Sequence, residues 1–373
     1  MKLVKAGESH GVAMVGILTN VPSGVPVSEN FINNLLAQRC ESAGRSERQR
    51  LECDKLDLIT GVRGGFTIGN NLAVQINNAV HGDYALAMHP FNADLNQNQI
   101  RAVRPGHADL PGCKRNCFSD ARNVLEGSSA RNTCLDVAGG AIALQMLEAL
   151  GISISAFVTG IGDLFDNNGY SYQQISGVSA PYFTANKQFE SSAKQKIEYA
   201  KSQGNSLGGS LQIRVTGLKA GFGSYLPEKR LDASIAQLFM GVQAVKGVYF
   251  GKNPFENLGF GTDYVGSAVL ANEKLQIQNS QSGGIDGGMS NGDEIVITVG
   301  VKPIPTTQRG VQSVDMLTNE PCVSAKERAD VTAVFALCPI LKCNLALAIS
   351  EAITERLGAD CMQNIKERYQ KLC

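Results

Sequence analysis

Apolar and polar positions change their period several times along the chain, and those changes predict the elements. VAMVGILT (Val12–Thr19) is an apolar, β-rich run closed by VPSGVP, which predicts a strand and a turn. In SENFINNLLAQ, Phe31, Leu35 and Leu36 share one helical face behind Ser28, an N-cap candidate. KLDLITGV and LAVQINNAV read as short strands separated by GVRGGFTIGNN. Arg131–Leu150 has the strongest helical spacing and is stopped by Gly151. Further on, ISISAFVTGIGD predicts a strand, Lys194–Ser202 a helix and SLQIRVTG a strand. Leu231–Val245 reads as an amphipathic helix, GVYFG and EIVITVGVKP as strands, and Leu341–Leu357 as a closing helix. Asp163–Pro181, rich in Asn, Gly and Ser, reads as a surface excursion. Strands and helices come in runs without strict alternation, which predicts a layered α+β architecture over a doubly wound sheet. With no tandem repeat and no low-complexity linker, residues 1–373 read as one large domain.

Composition narrows the classes. Hydrophobic residues make up 43% and charged residues 18%, the balance of a soluble globular protein. The formal net charge is zero, which argues against nucleic acid as a partner. No segment reads as an uninterrupted membrane span, so no membrane partner is expected. Ten cysteines occur without a CxxC pair, and CKRNC (Cys113–Cys117) lacks a matching second pair, so no metal site is expected. MKLVKAGESHG lacks the apolar core of a secretory leader, which predicts a cytoplasmic protein with free thiols.

The candidate chemistry lies in histidine and arginine. Of four histidines, His10 sits in GESHG and His107 in VRPGHAD, both in turn-forming contexts. Gln38–Arg50 holds Arg39, Arg45, Arg48 and Arg50, and further arginines follow at Arg101, Arg104, Arg122 and Arg131. The segment reads either as a solvated charged loop or as an anion site, because guanidinium forks grip carboxylate and phosphate with paired hydrogen bonds. His107 alone reads as a structural turn residue sooner than as a catalytic one. Together with His10 and the arginines it points to acid–base chemistry on an anionic substrate.

At these residues the chain resembles the chorismate synthase family. The resemblance rests on AGESHGVAMVGILTNVPSGVP, on VRPGHADL with RNVLEGSSARNT, and on ERADVTAV. Lesser blocks agree in order: ITGVRGGFTIGN, GNSLGG, GFGSY, LDASIAQLFMGVQAVKG, GGIDGGMSNGDEIV and VKPIPT. The resemblance implies a β-α-β sandwich and a homotetramer. It also implies an anti-1,4-elimination of phosphate from 5-enolpyruvylshikimate 3-phosphate, dependent on reduced FMN, giving chorismate. By the same resemblance, His10 protonates reduced flavin or substrate, and His107 protonates the leaving phosphate or holds flavin charge. Asp330 matches the carboxylate that relays the C6 proton through flavin N5. Ser9, Arg39, Arg45, Arg48, Arg104, Arg131 and Arg328 match substrate-binding positions. Ser129, Ala244, Lys302, Thr306 and Arg328 match FMN-binding positions.

The chain departs from the family pattern at Gln38, Arg115, Gln243, Ala329 and Lys342, and the departures are expected to surround the flavin and substrate region. A degenerate homologue that binds flavin or an anionic ligand without turnover is the alternative. GGIDGGMSNG does not match a dinucleotide fingerprint, so an external flavin reductase or another external source of reduced FMN is expected, rather than the chain's own NADPH oxidation.

Overall fold

The computed structural model describes residues 1–46, 54–251, 259–271, 274–278, 280–325 and 330–372. Two antiparallel sheets enclose a layer of helices. The first sheet comprises β1 (Lys2–Ala6), β2 (Ala13–Thr19), β3 (Asp57–Thr60) and β4 (Leu72–Asn77), in the order β1-β2-β4-β3. The second comprises β5 (Ser153–Ile161), β6 (Leu164–Phe165), β7 (Gly209–Thr216), β8 (Val245–Phe250) and β9 (Ile295–Val301). Its order is β8-β9-β7-β5-β6, again antiparallel. Alternation decides which face points inward: Leu72, Val74 and Ile76 of β4, and Leu211, Ile213 and Val215 of β7, are buried.

The helices that position the site are α1 (Glu29–Glu41), α2 (Asp109–Asn116), α3 (Arg122–Ser128), α4 (Thr133–Glu148), α5 (Lys187–Ser202), α6 (Leu231–Met240), α7 (Val334–Leu357) and α8 (Met362–Gln370). The helices α4 and α7 are apolar on nearly all sides because they lie between the sheets, α4 against the first and α7 against the second. Their backbones meet closely at Gly140, where an added Cβ would stand 2.5 Å from the Cys343 carbonyl oxygen. A side chain there would force the two central helices apart and open the core.

Several boundaries differ from the sequence expectation, each for a physical reason. The helix expected over Leu231–Val245 ends at Met240, because Ala244 takes φ 73° and Val245 enters β8. Expected from Lys194, α5 starts at Lys187, where the Asn186 side chain accepts from the backbone N–H groups of Gln188 and Phe189. Expected from Leu341, α7 begins at Val334 and carries Pro339 inside it; residues 334–341 are buried, and packing holds the helix through the proline. The excursion Asp163–Pro181 is partly ordered into β6 and a single turn, Tyr172–Ile175. The expectation of no membrane-length segment also needs correction. The 24-residue α7 is long and apolar enough to cross a bilayer, but 89% of its apolar window is buried within the protein as the centre of the core.

Candidate active site

The GESHG loop joins β1 to β2, and its first residue must be glycine. Gly7 has φ 119°, and an added Cβ would meet the Ala13 carbonyl oxygen at 2.6 Å. The tight return is clamped from two sides. The Asn78 amide donates to the Glu8 and Gly11 carbonyls, and the Ser9 N–H donates to the Glu126 carbonyl. Ser9 Oγ then donates to Ser129 Oγ at 3.0 Å, and the His10 ring is carried inward to 4% exposure.

Across the cavity, the turn Arg104–His107 closes with His107 N–H on the Arg104 carbonyl at 3.1 Å. Asp109, fully buried, accepts from Arg104 Nε and Nη2, each at 2.8 Å. Its Oδ1 also lies 2.5 Å from His107 Nδ1. Arg104 Nη2 lies 3.1 Å from the same Nδ1, but a guanidinium only donates. Burial pushes the Asp109 carboxyl up, and the hydrogen bonds from Arg104 and His107 more than offset it, holding the carboxyl well below its ordinary range. A carboxylate here requires the proton on His107 Nδ1, which leaves Nε2 as the ring atom open to a ligand.

The same arrangement recurs at His10, whose Nδ1 lies 2.8 Å from Glu126 Oε1. For Glu126 too, burial raises and the His10 hydrogen bond lowers, with a net depression. Both depressed carboxylates contribute stability that is complete above their unfolded pKa values near about 4. That contribution is lost as pH falls through the lower folded values. Urea midpoints should therefore fall on going from about pH 5 to about pH 3, and Asp109→Asn should flatten that slope; an unchanged slope would remove Asp109 from the account.

The arginines divide into two sets. Arg104, Arg131 and Arg45 line a cavity of about 530 Å3 together with Ser9, His10 and His107. Ser129, Ala244, Lys302, Thr306 and Asp330 line it as well, so the structure gathers predicted residues from seven separate stretches of chain. Arg39 is not on that wall. Its side chain is buried behind it, with Nη1 on Asp54 Oδ2 at 3.0 Å and Nε on Thr133 Oγ1 at 3.0 Å. Arg131 Nη1 binds the other oxygen of Asp54 at 2.6 Å. Arg39 thus acts on the cavity through Asp54, which the sequence reading missed. Arg48 and Arg328 lie outside the described residues.

The remaining wall is built from backbone turns. Lys302 donates its N–H to the Ala244 carbonyl and its ammonium to the Gly106 carbonyl at 2.7 Å. Burial, with Lys246 nearby, pulls the Lys302 ammonium below its usual range. Arg104 Nη1 donates to Thr306 Oγ1 at 3.3 Å. Asp330 accepts from Arg45 Nη1 at 2.6 Å and from the Ser46 N–H at 2.7 Å. Arg45, Thr306 and Asp330 also line an adjoining cavity of about 560 Å3.

The expected clustering of departures around the site is only partly met. Gln38 turns along its own helix to Asn34 Oδ1 at 2.6 Å, Arg115 is exposed on α2, and Lys342 lines a separate groove with Gln38. Gln243 does line the cavity, where its amide donates to the Ser128 and Ser129 carbonyls at 3.1 and 3.3 Å. Ala329 lies outside the described residues. Asp54, Asp109 and Glu126 were the residues missed. The available signal was charge balance, because buried guanidiniums in a neutral chain need buried carboxylates.

The chorismate synthase sequence profile matches residues 1–354. This chain belongs to the chorismate synthase family. It is 35% identical over 376 residues to chorismate synthase of Thermus thermophilus, covering 100% of this chain and 98% of that one. It is 36% identical over 385 residues to chorismate synthase of Desulforamulus reducens, with the same coverage. A solved chorismate synthase crystal structure superposes with a TM-score of 0.76 at 27% identity, covering 99% of this chain and 96% of that chain. The chorismate synthase family comprises carbon–oxygen lyases acting on phosphates, EC 4.2.3.5, in aromatic biosynthesis, and the chain is a lyase of that class.

Proposed function

We propose that this chain converts 5-enolpyruvylshikimate 3-phosphate to chorismate by anti-1,4-elimination, with reduced FMN as cofactor. The C3–O bond to phosphate and the C6–H bond break, a second ring double bond forms, and no net oxidation occurs. The observation that carries the reading is a cavity with two imidazoles, each tied at Nδ1 to a buried carboxylate, under a wall of guanidiniums. A substrate with two carboxylates and a phosphate requires such a wall.

The cavity suits FMN by its donors and its size. Lys302 and Thr306 offer an ammonium and a hydroxyl for a phosphate, and Ala244 and Val242 offer apolar surface. The main cavity, about 530 Å3, falls within the range of about 300–1,000 Å3 typical of small-molecule sites, and the adjoining one enlarges it. Reduced flavin, when bound, supplies electron density for a redox-neutral elimination. Arg45, Arg104 and Arg131 hold and orient the anionic groups of the substrate. As imidazoliums, each with its Nδ1–H held by a carboxylate, His107 gives its Nε2 proton to the departing phosphate and His10 presents a second at its own Nε2, while the Asp330 carboxylate accepts the C6 proton. Ser9 and Ser129 add hydroxyl contacts, while Arg39 supports Arg131 from behind.

An anaerobic assay with chemically reduced FMN tests this reading, with phosphate release expected. No release would sink it, and flavin binding without release would favour the non-catalytic homologue. Running the assay with NADPH in place of chemical reductant should give no turnover until a flavin reductase is added. A cytoplasmic homotetramer completes the proposal. Exposed apolar side chains at Phe91, Phe260, Leu270 and Leu275 support self-association, which light scattering would measure.

A further inference from the structure

Glu126 makes an unusual pair of contacts with a single residue. Its Oε2 accepts from the His10 backbone N–H at 2.8 Å, while Oε1 faces His10 Nδ1 at 2.8 Å. The carboxylate is 4% exposed, and Arg122, one helical turn earlier, donates to Oε1 at 3.4 Å. The imidazole face is covered as well. The Tyr84 ring lies 4.1 Å from it, centroid to centroid, and the Arg122 guanidinium stands 5.8 Å from the Tyr84 centroid. A His81 ring nitrogen meets the His10 carbonyl at 3.1 Å. His10 is therefore fixed at its backbone, at one ring edge and on one ring face. Nε2 is the edge left toward the cavity that His10 lines.

We propose that Glu126 is the positioning residue of His10, holding the ring proton on Nδ1 and presenting Nε2 to the bound ligand, with Arg122 keeping the carboxylate in place. The inference rests on the reading of His10 as a proton-carrying group. A carboxylate can only accept, so the ring nitrogen facing it must bear the proton. The competing role is purely structural, in which Glu126 ties the GESHG loop to α3.

Glu126→Gln separates the two roles. The amide oxygen can still accept from the His10 backbone N–H, which preserves the loop tie. The amide NH2 then faces Nδ1 and donates to it, which drives the ring proton to Nε2. Histidine-labelled full-length protein carries only four imidazoles, so long-range 1H–15N spectra can read each tautomer, with His10→Asn identifying the His10 signals. The wild type should show His10 protonated at Nδ1, and Glu126→Gln should invert it. Turnover with reduced FMN should fall about 10–100-fold, the range seen when a metal-binding histidine loses the carboxylate that orients it. FMN affinity should stay within about threefold, and Glu126→Asp should restore the Nδ1–H tautomer and part of the turnover.

An unchanged tautomer or unchanged kcat in Glu126→Gln would overturn the proposal. The wild-type spectrum is decisive even if the variant does not fold, since an Nε2–H His10 in the neutral ring would overturn it alone. If the wild type releases no phosphate, the functional reading fails while the tautomer result still judges the positioning role.

Discussion

Replacing His107 by alanine should lower kcat by about 10²–10⁴-fold, the usual range for loss of a general acid or base. The geometry makes His107 well placed for the role. Asp109 pins its Nδ1 proton, Arg104 locks Asp109 through two hydrogen bonds, and the ring remains partly exposed at the cavity wall. Among the described residues that line the cavity, the other imidazole is His10, which is held on the separate GESHG loop. KM should change far less than kcat, because the substrate's charges are gripped by guanidiniums that the substitution leaves intact. Anaerobic single-turnover kinetics with reduced FMN would measure it, and a near-wild-type rate would remove His107 from the chemistry. Asp109→Asn should lower kcat with FMN binding retained, because an amide no longer fixes the tautomer.

The second large effect concerns stability. Asp54 uses one oxygen for Arg39 and the other for Arg131, and all three side chains are almost fully buried. Asp54→Ala removes the buried carboxylate that both guanidiniums share, which should cost about 3–5 kcal/mol. Arg131 keeps its contacts to Asn78 Oδ1 and the Asn77 carbonyl, so the damage centres on Arg39, whose other partners are a hydroxyl, a carbonyl and a thiol. Urea unfolding would show the loss directly. Pairing Asp54→Ala with Arg39→Leu should recover part of it, because the second change removes a buried charge that has lost its carboxylate. A single-variant cost below about 1 kcal/mol would mean that water or a neighbouring group replaces the carboxylate.

The split between Arg39 and the cavity arginines shows what chain order hides. In the sequence Arg39 and Arg45 look alike, two guanidiniums of one basic segment. In the fold Arg39 closes the last turn of α1 and faces the core, while Arg45 lies beyond the helix end and reaches the cavity. Helix phase and helix length decide this, and neither can be read from charge alone. The departures behave the same way. Gln38 and Lys342 are far apart in sequence yet line one groove away from the site, whereas Gln243 faces the cavity.

The sequence by itself determined the strands with clean alternation, the all-apolar helix α4, and the histidines and arginines that carry the chemistry. Those signals are local: a period of two or 3.6, a glycine that only a tight turn requires, and residue types matched to an anion. Only the tertiary structure decided where α6 ends and where α7 begins, because packing carried α7 through a proline while the chain turned at Ala244, φ 73°, into β8. It also decided which carboxylate answers each charge. Asp54, Asp109 and Glu126 look like ordinary acidic residues along the chain. Burial beside particular arginines and histidines turns them into the groups that hold the site's protons and guanidiniums in place, and burial is a property of the folded whole.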